Sequence, residues 1–434
     1  METQLNSTDL PVTQMKSDGP MREEDEPKKS RREAILWLLG VGIVSAGAGI
    51  PLLKELQEYL GNSPQALTKI ATTTSTEAYM TNMTNTTPTG TKTITQTTTT
   101  SSNDASQIIA QALANHQTKI HLPAGQYSVS AQILITKPNV EIYGDNSSST
   151  VLRLNDNVLL DMFSFKSANN FYVHDLQIDG NRQNQPYTPP TPHYEEPVNI
   201  SGIDAWNSSN GLIENCFIHD CRTFGILYSK CTACQIRKNY IQNCDANGIT
   251  VDNATGGSGC TVNSNTINGA SDVGITGSDA VDYTVRNNVI KNIIMNTSPF
   301  EQNTNLGLCC EARAAGCKNC TYQDNMISNV LVGAYIGNVQ GLKFNENTIS
   351  AITYTHNNYT PSPVPFAINV DKTTSGVDIE DNVIENLPHA MQTPIVQLLS
   401  PSGIFKNNLI FANDGHIPIY VPNSGWKLIG NKIT

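Results

Sequence analysis

Gly225-Ile226-Leu227-Tyr228, Gly248-Ile249-Thr250-Val251 and Gly274-Ile275-Thr276 open three successive stretches of the chain. These close on Asn239-Tyr240-Ile241, Asn265-Thr266-Ile267 and Asn288-Val289-Ile290. The closing triplet recurs as Asn325-Met326-Ile327, Asn347-Thr348-Ile349, Asn382-Val383-Ile384, Asn408-Leu409-Ile410 and Asn431-Lys432-Ile433, with Asn215-Cys216-Phe217 at its head. Subtracting positions from Asn215 onward gives spacings of 24, 26, 23, 37, 22, 35, 26 and 23 residues. A period of 22–26 residues, stretched by insertions, is the mark of a solenoid.

The rows hold short, alternating β-branched segments, so their units are strands. The density of Asn, Gly, Thr and Val excludes helical repeats. Asn tolerates a left-handed backbone, and its amide can bond an Asn in the coil above, so the spacing predicts a stacked Asn ladder at a turn. The fold class is all-β, a right-handed parallel β-helix. Near its start, Asp104-Ala105-Ser106-Gln107 has capping-box spacing and opens a helix whose apolar face is Ile108, Ile109, Ala112 and Leu113. Ile120-His121-Leu122-Pro123-Ala124-Gly125-Gln126-Tyr127 and Val140-Glu141-Ile142-Tyr143-Gly144 follow. With these motifs, residues 104–434 resemble the pectin-lyase-like superfamily of β-helix proteins, in which such a helix covers the open end of the core. The resemblance is architectural and brings no activity with it. The chain lacks the Arg-x-Pro-x-x-Arg set of pectate lyases and the Asp-Pro-His-Asp of mannuronan epimerases, and the polygalacturonase acids and Arg-x-Lys are not assembled.

Upstream the chain divides into zones. Residues 1–33 are polar and read as a disordered cytoplasmic tail. Residues 34–53 form an uncharged apolar run long enough to span a bilayer. Lys28, Lys29, Arg31 and Arg32 crowd its first flank, which places the N-terminus in the cytoplasm and the rest outside, as a single-pass signal anchor. A cleaved signal is the rival reading, because Arg31-Arg32 resembles a degenerate twin-arginine motif and Ala46-Gly47-Ala48 offers a cleavage site. Residues 54–103 comprise a short helix and a stalk that is about half Thr over 68–102. Asn-x-Ser/Thr sequons, beginning with Asn82 and Asn85, suit an external glycoprotein. A net charge of −11 disfavours nucleic acid as a partner. The chain stops at Thr434 inside a row, so an exposed final coil, or a homo-oligomeric partner covering it, is expected.

In the strand that begins Gly-Ile, the Ile points inward and the next residue outward. The outward columns then hold Asp204, Tyr335 and Asn369 beside Trp206, Asp252, Glu311 and Asp371. Acids and aromatics on one sheet face are what a sugar-binding groove requires. Asp252 and Glu311 lie two rows apart, about 9.6 Å by coil spacing, near the upper end for an inverting glycosidase pair. Arg313 would hold an acidic sugar or neutralise Glu311. Asp175, Asp179 and Arg182 form a second constellation around a row end, with both acids facing one side of a strand. These acids equally suit turn capping on a soluble sheet. All ten Cys lie between Cys216 and Cys320. Aligned rows stack Cys221 on Cys244 and Cys234 on Cys260 as disulfide candidates in an external domain, with stacked reduced thiols as the alternative. The CxxC pairs at Cys231/Cys234 and Cys317/Cys320 lie about 14 Å apart by coil spacing, too far for one zinc, so no metal site is expected. No cofactor is called for, and nothing specifies calcium. Two functions stay open: a membrane-anchored protein that binds or hydrolyses polysaccharide, and a non-catalytic surface adhesin or envelope component.

Overall fold

The computed structural model describes residues 103–185, 200–254, 256–295, 304–312, 316–353, 365–385, 387, 394–412 and 417–434. The expected tail, membrane anchor and stalk lie outside these residues, as do Arg313 and most of the insertions. Among the described residues no helix is long and apolar enough to cross a membrane.

Each coil gives one strand to each of three parallel sheets, of 12, 12 and 11 strands among the described residues. The first sheet runs from Lys119–Leu122 to Gly425–Ile429, the second from Gly125–Val129 to Lys432–Ile433, and the third from Ile133–Ile135 to Ile417–Tyr420. This is the expected β-helix. In-register pairing puts like residues over like. In the second sheet Ile178, Ile218, Ile241, Ile267 and Ile290 stack in one fully buried column. In the third, Ile203, Ile226, Ile249 and Ile275 do the same. The helix α1 (Ala105–Ala114) closes the N-terminal end of this core with Ala105, Ile109 and Ala112. Its N-cap Asp104 accepts from the Ser106 amide at 2.9 Å. At the other end, Ile417, Leu428 and Ile433 are exposed.

The recurrent glycine has a steric cause. A Cβ on Gly248 would lie 2.8 Å from the Gly274 carbonyl oxygen and 2.7 Å from Ile267 Cγ2. Gly225 meets Gly248 in the same way, and Gly274 meets Gly307. Successive coils approach too closely there for any side chain.

The asparagine ladder forms, with two adjustments. From Asn239 through Asn265, Asn288, Asn325, Asn347, Asn382 and Asn408 to Asn431, each amide nitrogen and each Nδ2 donates to Oδ1 of the next Asn at 2.9–3.1 Å. Each Nδ2 also reaches a backbone carbonyl one coil back, as Asn325 does to Val285 at 3.0 Å. The left-handed residue is not the ladder Asn but the one before it: Lys238, Ser264, Asn287, Asp324 and Glu346 all have positive φ. The first rung is Cys216, whose amide donates to Asn239 Oδ1 at 3.0 Å, and Asn215 takes the left-handed place. The Asn-Cys order hid that shift of one residue.

The expected disulfides are absent. All ten cysteines are buried thiols. Cys221 does lie beside Cys244 and Cys234 beside Cys260, as thiol neighbours. Parallel in-register strands point both Cβ atoms the same way and leave them about 4.8 Å apart, whereas a disulfide needs converging Cβ atoms at about 3.8 Å.

Asn325→Ala would strand the buried Asn288 backbone amide and remove one of the bonds from its Nδ2. It should destabilise the protein by roughly 2–4 kcal/mol in guanidinium titrations. Asn431→Ala, at the half-exposed end of the ladder, should cost less than about 1 kcal/mol. Equal losses would show that buried ladder bonding is not the source.

Candidate functional site

Alternation along the third sheet gives two outward columns, and the observed register reproduces them. One reads Ser164, Asp204, Leu227, Thr250, Thr276, Cys309, Tyr335, Asn369 and Gln397. The other reads Lys166, Trp206, Ser229, Asp252, Ser278, Glu311 and Gly337. Asp252 and Glu311 stand two coils apart with Ser278 between them, as the spacing predicts.

The face is not the open groove expected. Thr276, Ser278 and Cys309 are fully buried, and Glu311 is 7% exposed. Cys309 and Tyr335 of this face pack with Val273, Leu306, Leu331, Val332 and Phe366 in a second apolar cluster. Tyr335 is therefore packing, not an open platform for a sugar ring. Trp206 alone of the predicted aromatics stays open, at 40% exposed, with the Lys230 ammonium 5.0 Å from its ring centroid.

Burial leaves polar atoms without partners. The hydroxyls of Ser164, Thr276 and Ser278 and the amide oxygens of Asn369 and Gln397 have no hydrogen bond. Five such atoms in one pair of columns is far from the rule that buried polar groups are satisfied. They lie along one face, with Asp204, Leu227 and Thr250 between Ser164 and Thr276, and Cys309 and Tyr335 between Thr276 and Asn369.

The predicted acids divide by environment. Asp252 accepts from the Ala254 amide at 3.1 Å, and Asp371 accepts from the amide of Thr373 at 2.6 Å, so each caps a turn. Asp161 was missed by the sequence reading. It sits beside the strand Phe163–Lys166, is 8% exposed, and accepts from the Ser201 amide at 2.8 Å. Burial, with neighbouring Asp204 adding to it, lifts its carboxyl to about 7 against the opposing pull of Ser201 and Lys166. One carboxyl kept protonated beside another is the arrangement acid–base catalysis uses. The alternating row Met162-Phe163-Ser164-Phe165 was a usable signal, but only coil stacking brings Asp161 to Asp204.

The second constellation does not assemble as predicted. Asp175 sits in the left-handed turn before its strand and bonds His174 Nδ1 at 2.7 Å. Asp179, at the strand end, pairs with Arg153. The turn, which breaks strand parity, separates them. Arg182 instead reaches the buried Asp245 at 2.8 Å, which Arg222 holds from the other side at 2.7 Å. An open hollow of about 590 Å³ nearby, lined by Tyr127, Arg153, Asp156 and Asn181, has polar groups that satisfy one another: Arg153 donates to Asn181, and Asn181 to Asp156. It is scaffold more than site.

A sequence model of the right handed beta helix region matches residues 138–290. Among solved structures, the chain is similar to the mannuronan C-5 epimerase A-module of Azotobacter vinelandii. Identity is 17%, the TM-score is 0.54, and the match covers 75% of this chain and 93% of that one. It is also similar to a DFA-IIIase from Arthrobacter chlorophenolicus A6 without its lid, at 13% identity and a TM-score of 0.47, over 76% and 89%. A comparison with curated protein sequences finds no match. At these identities the likeness is one of fold. The chain is a right-handed parallel β-helix protein.

Asp161 makes stability depend on pH. Its folded pKa of about 7 stands above the unfolded value, so the folded chain keeps a proton that the unfolded chain releases. That contribution is full below about pH 4 and is lost as pH rises through about 7. Asp161→Asn should therefore raise the melting temperature at pH 8 relative to wild type, by up to roughly 4 kcal/mol of stability, and change little at pH 4. A pH-independent difference would remove the raised pKa from the account.

Proposed function

We propose that this β-helix protein binds a polysaccharide along the outward face of its third sheet and hydrolyses it. The observation that carries the reading is the stripe of buried, unpartnered polar atoms at Ser164, Thr276, Ser278, Asn369 and Gln397. A chain of sugars repeats hydroxyl groups, and a parallel sheet repeats side chains about every 4.8 Å, so several coils can bond one strand of polysaccharide. The mannuronan C-5 epimerase, an enzyme of a polysaccharide, supports the substrate class and not the reaction. The chain lacks the Asp-Pro-His-Asp of such epimerases, and no basic pair stands in the columns to serve as an elimination base.

Hydrolysis is favoured because the face offers acids. Asp161 serves as the proton donor, Asp204 as the second acid beside it, and Trp206 as the stacking platform. Asp252 and Glu311 flank the middle of the stripe and bond substrate hydroxyls. The apolar run 34–53 anchors the protein in a membrane with the β-helix on the outer side. A second reading, a non-catalytic adhesin, draws on the turn-capping roles of Asp252 and Asp371.

The test is a glycan array probed with the full chain in detergent, with reducing-end and unsaturation assays on each hit. New reducing ends should appear, falling at least about 100-fold in Asp161→Asn and Asp204→Asn. Asp252→Asn and Glu311→Gln should weaken binding more than turnover. Loss of turnover only in the latter pair would move the chemistry to mid-sheet. Binding without turnover would establish the adhesin, and unsaturated products would replace hydrolysis by elimination.

A further inference from the structure

Three thiols meet inside the core, on the opposite side of the third sheet from the proposed sugar face. Cys310 lies on the strand Leu306–Glu311 and points inward, while its neighbour Cys309 points outward. Cys317 and Cys320 lie on the next strand, Cys317–Gln323, in the first sheet, and both are buried. The three sulfur atoms all lie within 4.8 Å of one another. Tetrahedral or trigonal binding at about 2.3 Å per bond brings sulfurs to about 3.8–4.0 Å, so closing on an ion needs less than about 1 Å of movement. Backbone carbonyls are the thiols' hydrogen-bond acceptors at present: Cys317 Sγ donates to Glu311 O at 3.1 Å, and Cys320 Sγ to Ala280 O at 3.4 Å.

A second observation points the same way. Tyr283 is fully buried, yet its hydroxyl has no hydrogen-bond partner. Thr284 pairs with Thr321, so Tyr283 and Cys320 are neighbours on adjacent coils. Its hydroxyl is within electrostatic reach of Cys260 on one side and of Cys320, Cys310 and Cys317 on the other. Gly277 makes the room, because a Cβ there would stand 2.7 Å from the Tyr283 ring. An orphaned donor against a sulfur cluster is costly in an apolar core. A thiolate sulfur is an acceptor it could use, and metal-bound thiolates commonly take such bonds from the surrounding shell.

We propose that Cys310, Cys317 and Cys320 bind one thiophilic d10 cation, Zn²⁺ or Cu⁺, with the Tyr283 hydroxyl donating to a ligating sulfur. Soft sulfur donors select these ions, and a set of three matches trigonal Cu⁺, whereas Zn²⁺ would add a fourth ligand. Binding replaces thiol protons by the ion and releases them to solvent, with no change of oxidation state. The ion ties the third sheet to the first, so its role is structural. The other thiol group, Cys231, Cys234 and Cys260, does not bring three sulfurs into mutual reach.

The experiment uses the full chain, produced under reduction with Zn²⁺ or with Cu⁺ supplied, then desalted and assayed for metal by mass spectrometry. One equivalent of one ion should remain after dialysis against a chelator, and Cd²⁺ substitution should give a thiolate charge-transfer band. Cys310→Val, which keeps the core apolar, and Cys317→Ser should each lose the ion and the band while far-ultraviolet dichroism stays native. Cys221→Ala should retain both. Tyr283→Phe should keep the ion but release it at least several-fold faster to chelator. Retention of Zn²⁺ or of Cu⁺ alone supports the site and names its ion. No retained ion in wild type, or equal retention in Cys310→Val, means an adventitious ion only and overturns the proposal. If the core variants fail to fold, absence of the charge-transfer band from natively folded wild type decides against it.

Discussion

Exact stacking of one coil on the next is the constraint on which the remainder of the molecule depends. Parallel in-register pairing demands that each position match the one above it in size and bonding. The asparagine ladder satisfies that demand most completely. Each amide side chain accepts two bonds from one neighbour and donates to the next coil and to the one before, inside a core where an unpaired amide would cost about 1–3 kcal/mol. The left-handed residue ahead of each rung turns the chain, and the rung then locks the turn to its neighbours. Glycine does the corresponding work on the approach to the third sheet, where carbonyl oxygens of adjacent coils leave no space for a Cβ.

The same stacking decides what the cysteines can be. Sulfurs on aligned coils are brought close, but along parallel vectors, which suits thiol contacts and not disulfides. Where sulfurs come from two different sheets, as Cys310 does relative to Cys317 and Cys320, their directions converge on a common point. Convergence, and not proximity along the helix axis, separates a metal-binding geometry from a column of small apolar residues.

The outward face of the third sheet follows a different logic. Ordinary solenoid surfaces are wet, and their polar groups bond water. Here Tyr335 and Cys309 are buried in a second apolar cluster, and five hydroxyl and amide oxygens of the same columns are buried too. Buried polar atoms without partners are unfavourable in isolation, and the proposed polysaccharide would supply the bonds they lack. Asp161 belongs to the same environment: burial disfavours its charge, and Asp204 beside it disfavours it further.

The sequence alone determined the period, the strand nature of its units, the inward isoleucines, the ladder from Asn239 onward and the outward columns, because each is a repeat that survives in one dimension. The covering helix was legible for a related reason, since capping and amphipathic spacing are local. The pairing Asp252–Ser278–Glu311 was legible by counting rows. Other features needed the tertiary structure. Cys216 in place of Asn215 as the first rung depends on which residue bends the chain, and the Asn-Cys pair gave no sign of it. Asp161 and Asp204 meet across coils 43 residues apart in sequence. Cys310 joins Cys317 and Cys320 only because a coil turns the chain between two sheets. Which outward residues are truly wet was decided by packing among neighbouring coils of the third sheet, and a one-dimensional period carries no information about how side chains on adjacent coils bury one another.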